Sequence, residues 1–343
     1  MSSSTQYTVG SSYIMGHHAP QFGEYSPADE ELHHGDREKK PHYALTETQY
    51  YGFFVPERNI HCFTWVWCHP NLNVVTGGTM AWRGIKSRSQ ACELFDYRSF
   101  MSMDVFKDSF TRYKLDNGLE VDMEEPGRRF RLRYDDPVRN NSFDVVQSAV
   151  SDPMVWPTSN HFEQVMQSKG HITLRGERHE VDCFSVRDRS FGEYRVEESV
   201  PNLPPVYWIT GTFDETFSFC VVGMDDPEHD AFWKDEFAAP AGAALRFGWI
   251  IADGQKNAIR SASVRTEYDR NNLFVRKMEI LIVDMSGREF VVSGEVGAAA
   301  PYEAWMNVRV PIALTHWTCG DRKGVGEIQS LQYTDFIRRY SNI

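Results

Sequence analysis

Short stretches in which apolar and polar residues alternate cover most of the chain beyond residue 50. In RRFRLRY, at 128–134, apolar residues alternate with arginines, and this period of two predicts a strand with one buried face. Turn residues separate the stretches. DNG at 116–118 predicts a hairpin, because Asn and Gly both tolerate a positive φ. Many short strands and few helices are typical of β-barrels and sandwiches, so we predict an all-β protein with few short helices.

Helical patterns are rare in the chain. The first candidate lies near residues 147–155, where Pro153 and Pro157 would keep the helix short. The second is LQYTDFIRRY at 331–340, which fits either a strand or a final helix.

The pattern also divides the chain. Residues 1–42 are rich in Ser, His, Gly, Pro and charge without any period, so we expect a flexible N-terminal arm. The run ESVPNLPP interrupts the strands between residues 195 and 205. A length of 343 residues suits about two cores. We therefore predict a β domain over 43–198 and a second over 199–343.

The net charge and the hydropathy of the chain limit the classes of partner that the protein can bind. The formal net charge is -12, from 48 acidic and 36 basic residues, which argues against nucleic acid or an anionic membrane as partner. No apolar run reaches the roughly 18 residues that span a bilayer, and the start of the chain lacks a signal-peptide pattern. We expect a soluble, cytoplasmic protein. Its oligomeric state is left open.

The six cysteines are scattered and form no CxxC pair. Without a secretion signal we expect reduced thiols, packed in strands as small apolar residues. The sequence GVG at 324–326 lacks the context of a nucleotide-binding loop and indicates a bulge or a close strand crossing instead.

Residues 160–195 hold the densest set of ionisable side chains on predicted strands. His161 and Glu163 are two positions apart, so they share one strand face. Facing a cavity, they would form an acid/base pair able to relay a proton. Facing solvent, they would leave Phe162, Gln164 and Met166 to the core, and the period alone favours this second arrangement.

Asp188 lies between two arginines in RDRSFG at 187–192. Paired with a neighbouring arginine, it would be a structural ion pair, which is our default interpretation. Desolvated, it would be an acid with a raised pKa.

Aromatic and histidine residues offer further candidates. Trp65 and Trp67 share a strand face and would form the wall of an apolar pocket or pack in the core. His171 and His179 could join His161 around a metal, but their spacing is not diagnostic, and we predict no metal site. Near the C-terminus, Trp317 follows His316 in a pattern typical of core packing.

His161-Phe162-Glu163-Gln164, with Gly170, Gly176 and the RDRSFG run, resembles a family of tandem lipocalin-like proteins distantly related to carotenoid hydratases and tocopherol cyclase. NIHCFTWVWCHPNLNVV upstream, and GWIIADG and GVGEIQ downstream, are similar to the two halves of these proteins. The resemblance covers roughly residues 45–335. Arg189 and Phe191 depart from it, because the family typically has His and Trp there. A mechanism that uses that histidine cannot be transferred.

The resemblance implies two lipocalin-like barrels or half-barrels with an apolar cavity at or near their junction. It also implies a cofactor-independent enzyme for hydration or dehydration, isomerisation or cyclisation of a hydrophobic isoprenoid, steroid or polyketide. His161 and Glu163 would be the acid/base pair, with Asp188 as a second acid or an orienting group. The candidate substrate-binding residues are Gln164, Arg187, Trp65, Trp67, Trp305 and Trp317. The alternatives are a carrier of an apolar ligand and an interaction module without a cavity.

Overall fold

The computed structural model describes residues 22–33, 43–106, 109–157, 160–194, 204–225 and 245–340. It is built almost wholly from antiparallel strands. The chain forms one open sheet of eleven strands, curved into a half-barrel, followed by a closed barrel of eight. This architecture confirms the predicted all-β fold of lipocalin-like barrels and half-barrels with few short helices.

The open sheet has the strand order β4-β3-β2-β1-β11-β10-β8-β7-β6-β5, and β9 pairs with β10. Its strands are β1 Leu45–Val55, β2 Ile60–His69, β3 Val74–Arg83, β4 Leu94–Ser102, β5 Arg112–Lys114, β6 Glu120–Glu125, β7 Arg129–Asp136, β8 Asn141–Ala149, β9 Met154–Val155, β10 His161–Leu174 and β11 Glu177–Tyr194. The pairing of β1 with β11 brings the first and last strands together at the middle of the sheet.

The closed barrel follows the chain order and closes through β12 and β19. Its strands are β12 Val206–Asp214, β13 Phe217–Met224, β14 Leu245–Ala252, β15 Gln255–Asp269, β16 Phe274–Asp284, β17 Glu289–Trp305, β18 Val308–Cys319 and β19 Arg322–Tyr333. One helix, α1 Thr334–Tyr340, follows β19. The run LQYTDFIRRY therefore ends a strand and then forms the final helix.

Two cores result from this arrangement. Apolar side chains such as Ile209, Phe219 and Trp317 fill the barrel interior. A second, larger core joins the open sheet to the outside of the barrel, where Trp208 and Tyr302 pack against residues of β1 and β2. Both faces of the central strands are therefore covered by protein.

Local turn chemistry follows the sequence. Gly118 takes a φ of 93° between β5 and β6, which confirms the hairpin. A side chain at Gly326 would meet the carbonyl oxygen of Thr210 at 2.0 Å, so the predicted close strand crossing is confirmed.

All six cysteines are free thiols, and five of them are buried. Burial raises the pKa of Cys62 to about 12.

Two expectations were wrong. No helix forms at 147–155, because β8 continues to Ala149 and β9 begins at Met154 to pair with β10. Over residues 22–33, the part of the expected flexible arm that the structure describes, the chain is held against the open sheet. Residues 22–33, the N-terminal segment, contain a short 3-10 helix, Pro27–Glu30, whose Glu30 is fully buried. Sequence composition missed this anchor because its partner is far away in the chain.

No helix among the described residues is long and apolar enough to cross a membrane.

Candidate active site

Polar side chains form a continuous patch on the face of the open sheet that meets the barrel. Strand register places Glu163 opposite Asp188, and Asp188 opposite Tyr50. Directly opposed residues of antiparallel strands project from the same face. His161 and Thr48 are aligned in the same way through Ser190, whose hydroxyl lies 2.6 Å from that of Thr48.

His161 and Glu163 form a buried pair on this patch. His161 Nε2 lies 3.0 Å from Glu163 Oε1, and the two residues are 4% and 0% exposed. The period of two favoured an arrangement in which this face is exposed to solvent. That prediction is wrong. The period of two distinguishes one buried face from a solvated one, and here the barrel covers the second face.

Glu163 is held from both halves of the molecule. The indole nitrogen of Trp156, just before β10, donates to both carboxylate oxygens, at 3.1 and 3.0 Å. Trp208 of the barrel donates to Oε1 at 3.3 Å, and Cys220 Sγ lies 3.8 Å from the same atom. A buried carboxylate is stable only with such donors. These contacts fix Glu163, and Glu163 in turn orients His161.

A second pair of ionisable side chains, Tyr50 and Glu327, lies across the interface between the open sheet and the barrel. Tyr50 of β1 donates its hydroxyl hydrogen to Glu327 of β19, with 2.5 Å between Oη and Oε2. Gln329 donates to the other oxygen of this carboxylate. His61 Nε2 lies 2.5 Å from Oε2, off the line of a hydrogen bond. Burial, and then the charge of Glu327, raises the pKa of Tyr50 well above its usual value, so the phenol stays protonated.

A cavity lies between these two groups, and we call it the junction cavity. It has a volume of about 40 Å³, which is room for a few waters, since one water needs roughly 10–15 Å³. Residues of both sheets form its wall: Thr48, Tyr50, Phe63, Trp65, His161, Asp188, Tyr302, Ala304, Val310, Gln329 and Leu331. Acid/base side chains and aromatic rings thus meet in one small chamber.

Arg187 and Gln164, expected to contact substrate, project from the other face of the sheet. Arg187 makes a bidentate ion pair with Glu30, at 3.1 and 2.6 Å, and donates to Gln164 at 2.9 and 2.7 Å. Gln164 donates to the carbonyl oxygens of Gly127 and Ser151. Strand alternation places both side chains on the face away from the junction cavity, so neither lines it, contrary to the prediction.

Asp188 is half-buried and lines the junction cavity. Our default interpretation paired it with a neighbouring arginine. Those arginines point to the opposite face, where Arg187 pairs with Glu30 and Arg189 pairs with Glu47 at 2.7 Å. Alternation along β11 separates the acid from both cations.

The tryptophans predicted to line the cavity lie in different parts of the structure. Trp65 lines the junction cavity and stacks on Trp67, with ring centroids 5.4 Å apart. Trp317 lies inside the barrel and donates to the carbonyl oxygen of Thr210 at 2.9 Å. Trp317 therefore does not line the junction cavity, contrary to the prediction. The side chain of Trp305 lies outside the described part of the structure.

The sequence analysis missed several residues of the site. Tyr50 and Trp156 carried no motif, and Trp208 and Cys220 come from the other half of the chain. Glu327 had a weak signal, because it is the only charged residue in the strand sequence GVGEIQSLQY. Within the described ranges, no group of three or more His, Cys, Asp or Glu residues is arranged to hold a metal ion.

Three other proteins with solved structures superpose on most of this chain. A protein of Nitrosomonas europaea described as AttH superposes with a TM-score of 0.55 at 13% identity, covering 92% of this chain and 100% of that one. CghA, also solved with Sch210972, gives 0.51 at 9% identity over 96% and 97% of the two chains. Kievitone hydratase from Nectria haematococca gives 0.49 at 11% identity over 93% and 98%. At these identities the likeness concerns the fold alone.

Comparison with curated proteins finds no match. One protein family, described as a domain of unknown function (DUF7064), matches residues 26–334. This range includes the open sheet, the barrel and the short 3-10 helix whose Glu30 pairs with Arg187. The chain belongs to the DUF7064 family.

Proposed function

We propose that this protein is an enzyme that performs acid/base chemistry on a hydrophobic small molecule in the junction cavity. The single observation that carries the proposal is the His161–Glu163 pair, buried at the wall of a cavity that Asp188 also lines. Buried ionisable groups are costly, and their concentration in one cleft supports a functional rather than a structural role.

His161 is the proposed proton acceptor. Its imidazole lines the junction cavity, and the carboxylate of Glu163 stabilises the imidazolium that forms when a proton arrives. Asp188, on the adjacent strand, is the proposed second acid. Tyr50 also lines the cavity, and it stays protonated while it donates to Glu327.

The reactions that suit this arrangement are hydration or dehydration, double-bond isomerisation and cyclisation. In a hydration, an acid protonates one alkene carbon while a base takes a proton from the water that adds to the other carbon. In an isomerisation, a proton leaves one carbon and another is delivered elsewhere. Both reactions balance with protons and water alone, and both need a dry, shaped pocket.

Isoprenoids, steroids and polyketides remain the proposed substrate classes. The aromatic wall of Phe63, Trp65 and Tyr302 supports an apolar ligand. The structure of CghA with Sch210972 gives a precedent for a ligand bound to a protein of this fold. A carrier would favour a pocket with an apolar lining alone, so the polar lining favours an enzyme over a carrier.

Product analysis by mass spectrometry tests the proposal. The protein is incubated with a panel of terpenoids, steroids and polyketides, and products are sought at a mass shifted by one water or at an unchanged mass with altered retention. We expect turnover by the wild type. His161→Ala and Asp188→Asn should each lower kcat by at least about a hundredfold, as for loss of a general acid or base.

His171→Ala is the matched control, because His171 lies on the same strand in a partly exposed position and does not line the junction cavity. It should retain wild-type kcat. Binding of a panel member without turnover would favour the carrier. Full activity in His161→Ala and Asp188→Asn would refute the proposed roles of these residues.

A further inference from the structure

A second, larger cavity adjoins the junction cavity, and we call it the outer chamber. Its volume is about 640 Å³, within the range of about 300–1,000 Å³ for small-molecule sites. Trp67, Thr76 and Tyr97 contribute to its wall, and it shares Tyr302 and Ala304 with the junction cavity. The two spaces are therefore neighbours separated by these shared side chains.

The rim of the outer chamber is unusually apolar for a protein surface. Ten large apolar side chains are exposed in the described part of the chain, and half of them line this chamber: Tyr43, Leu72, Phe95, Phe100 and Met306. Phe100 is 79% exposed and has a φ of 60°, a conformation that bulky residues rarely adopt. Clustered exposed apolar residues mark a binding surface.

Tyr302 stands between the two spaces. It is 6% exposed, and its ring lies 5.8 Å from that of Trp65 and 5.0 Å from that of Tyr97. Its side chain contributes to the walls of both spaces. Burial raises the pKa of Tyr302, so the hydroxyl remains a donor. A ligand oxygen passing between the chambers would accept a hydrogen bond from this hydroxyl.

We propose that the outer chamber binds the apolar body of the substrate, while the reacting end passes Tyr302 into the junction cavity. This inference rests on the proposed function and narrows its substrate class. With about 40 Å³, the junction cavity accepts only a small group. The substrate is therefore an elongated, largely apolar molecule with an alkene or an oxygen near one end, such as a linear isoprenoid.

Binding of geraniol, farnesol and geranylgeraniol tests this inference. These alcohols share one polar end and differ in the length of the apolar chain, and quenching of tryptophan emission reports binding beside Trp65 and Trp67. We expect Kd to fall by at least about tenfold from the shortest alcohol to the longest, because each added carbon is buried in the outer chamber.

Thr76→Phe fills part of the outer chamber from a partly exposed position on β3. It should remove the dependence on length, raising Kd for geranylgeraniol to about that of geraniol while leaving the Kd of geraniol unchanged. Thr173→Phe is the matched control: Thr173 is similarly exposed, lies on β10 and lines neither cavity. It should bind all three alcohols as the wild type does.

A Kd independent of chain length in the wild type would overturn the inference. So would an absence of binding by all three alcohols, or an equal loss of affinity in Thr76→Phe and Thr173→Phe. These outcomes are separable from failure of the proposed function, which is decided by turnover in His161→Ala and Asp188→Asn. An enzyme for compact substrates would keep that turnover pattern and show no length dependence.

Discussion

At the scale of single residues, Glu163 shows how a buried carboxylate is held by hydrogen-bond donors. It is completely buried, yet two indole nitrogens and one imidazole nitrogen surround its carboxylate. Glu163 does not line the junction cavity, whereas His161 does. We therefore assign Glu163 to positioning His161, and His161 to contact with substrate.

Glu163→Gln tests this division of roles. We expect kcat to fall by at least about a hundredfold, because the imidazolium of His161 loses its carboxylate. The acid limb of the pH–rate profile should move to lower pH, since protonated His161 is less favoured. The melting temperature should change little, because the amide oxygen still accepts from Trp156. Enzyme assays across pH, with thermal melts, provide the measurement.

A purely structural role for Glu163 predicts a different result. The melting temperature would then fall steeply, and the residual activity would keep the wild-type pH profile. Glu295→Gln, at an exposed position on β17, is the control and should leave both measurements unchanged.

The sequence was sufficient to predict part of this site, the His161–Glu163 pair. The spacing of two placed His161 and Glu163 on one face, and that contact is local. The choice of face was not local, because it depends on a barrel formed by residues 206–333. Donors such as Trp208 and Cys220 come to Glu163 only through that packing, and no spacing along the chain signals it.

At the scale of elements, β10 and β11 use their two faces for two purposes. One face carries His161 and Asp188 to the junction cavity. The other carries Arg187, which pairs with Glu30 of the N-terminal segment and lies 4.1 Å from the ring centroid of Phe130. The alternation of Arg187 and Arg189 with Asp188 therefore divides the strand into a face that anchors the N-terminal segment and a face that lines the cavity.

The buried pair of Arg187 and Glu30 should stabilise the fold measurably. Removing one member, in Arg187→Met or Glu30→Gln, leaves the other charged and buried, so we expect a loss of about 3–5 kcal/mol in the free energy of unfolding. Urea unfolding gives this quantity. The double variant should lose less free energy of unfolding than the sum of the two single losses, because it contains no unpaired buried charge.

Arg178→Met is the matched control, since Arg178 pairs with Glu180 on the same strand but both side chains are exposed. Its loss should stay within about 1 kcal/mol. Equal losses for Arg178→Met and Arg187→Met would mean that the N-terminal segment contributes nothing special to stability.

At the scale of the whole molecule, the candidate site belongs to neither half alone. The open sheet supplies His161, Asp188 and Tyr50, and the barrel supplies Tyr302 and Gln329. Strand patterns and turn residues were sufficient to predict two β units, because each strand carries its own period. They could not tell a closed barrel from an open sheet, since closure depends on pairing between β12 and β19, which are far apart in the sequence.

The central claim is that a substrate reacts at the junction of the open sheet and the barrel. Its most direct test is a crystal structure of Asp188→Asn with a compound that the wild type converts. We expect the reacting atoms in the junction cavity, within about 2.6–3.2 Å of the His161 imidazole or the side chain at position 188. A compound bound inside the barrel, or away from both side chains, would contradict the claim.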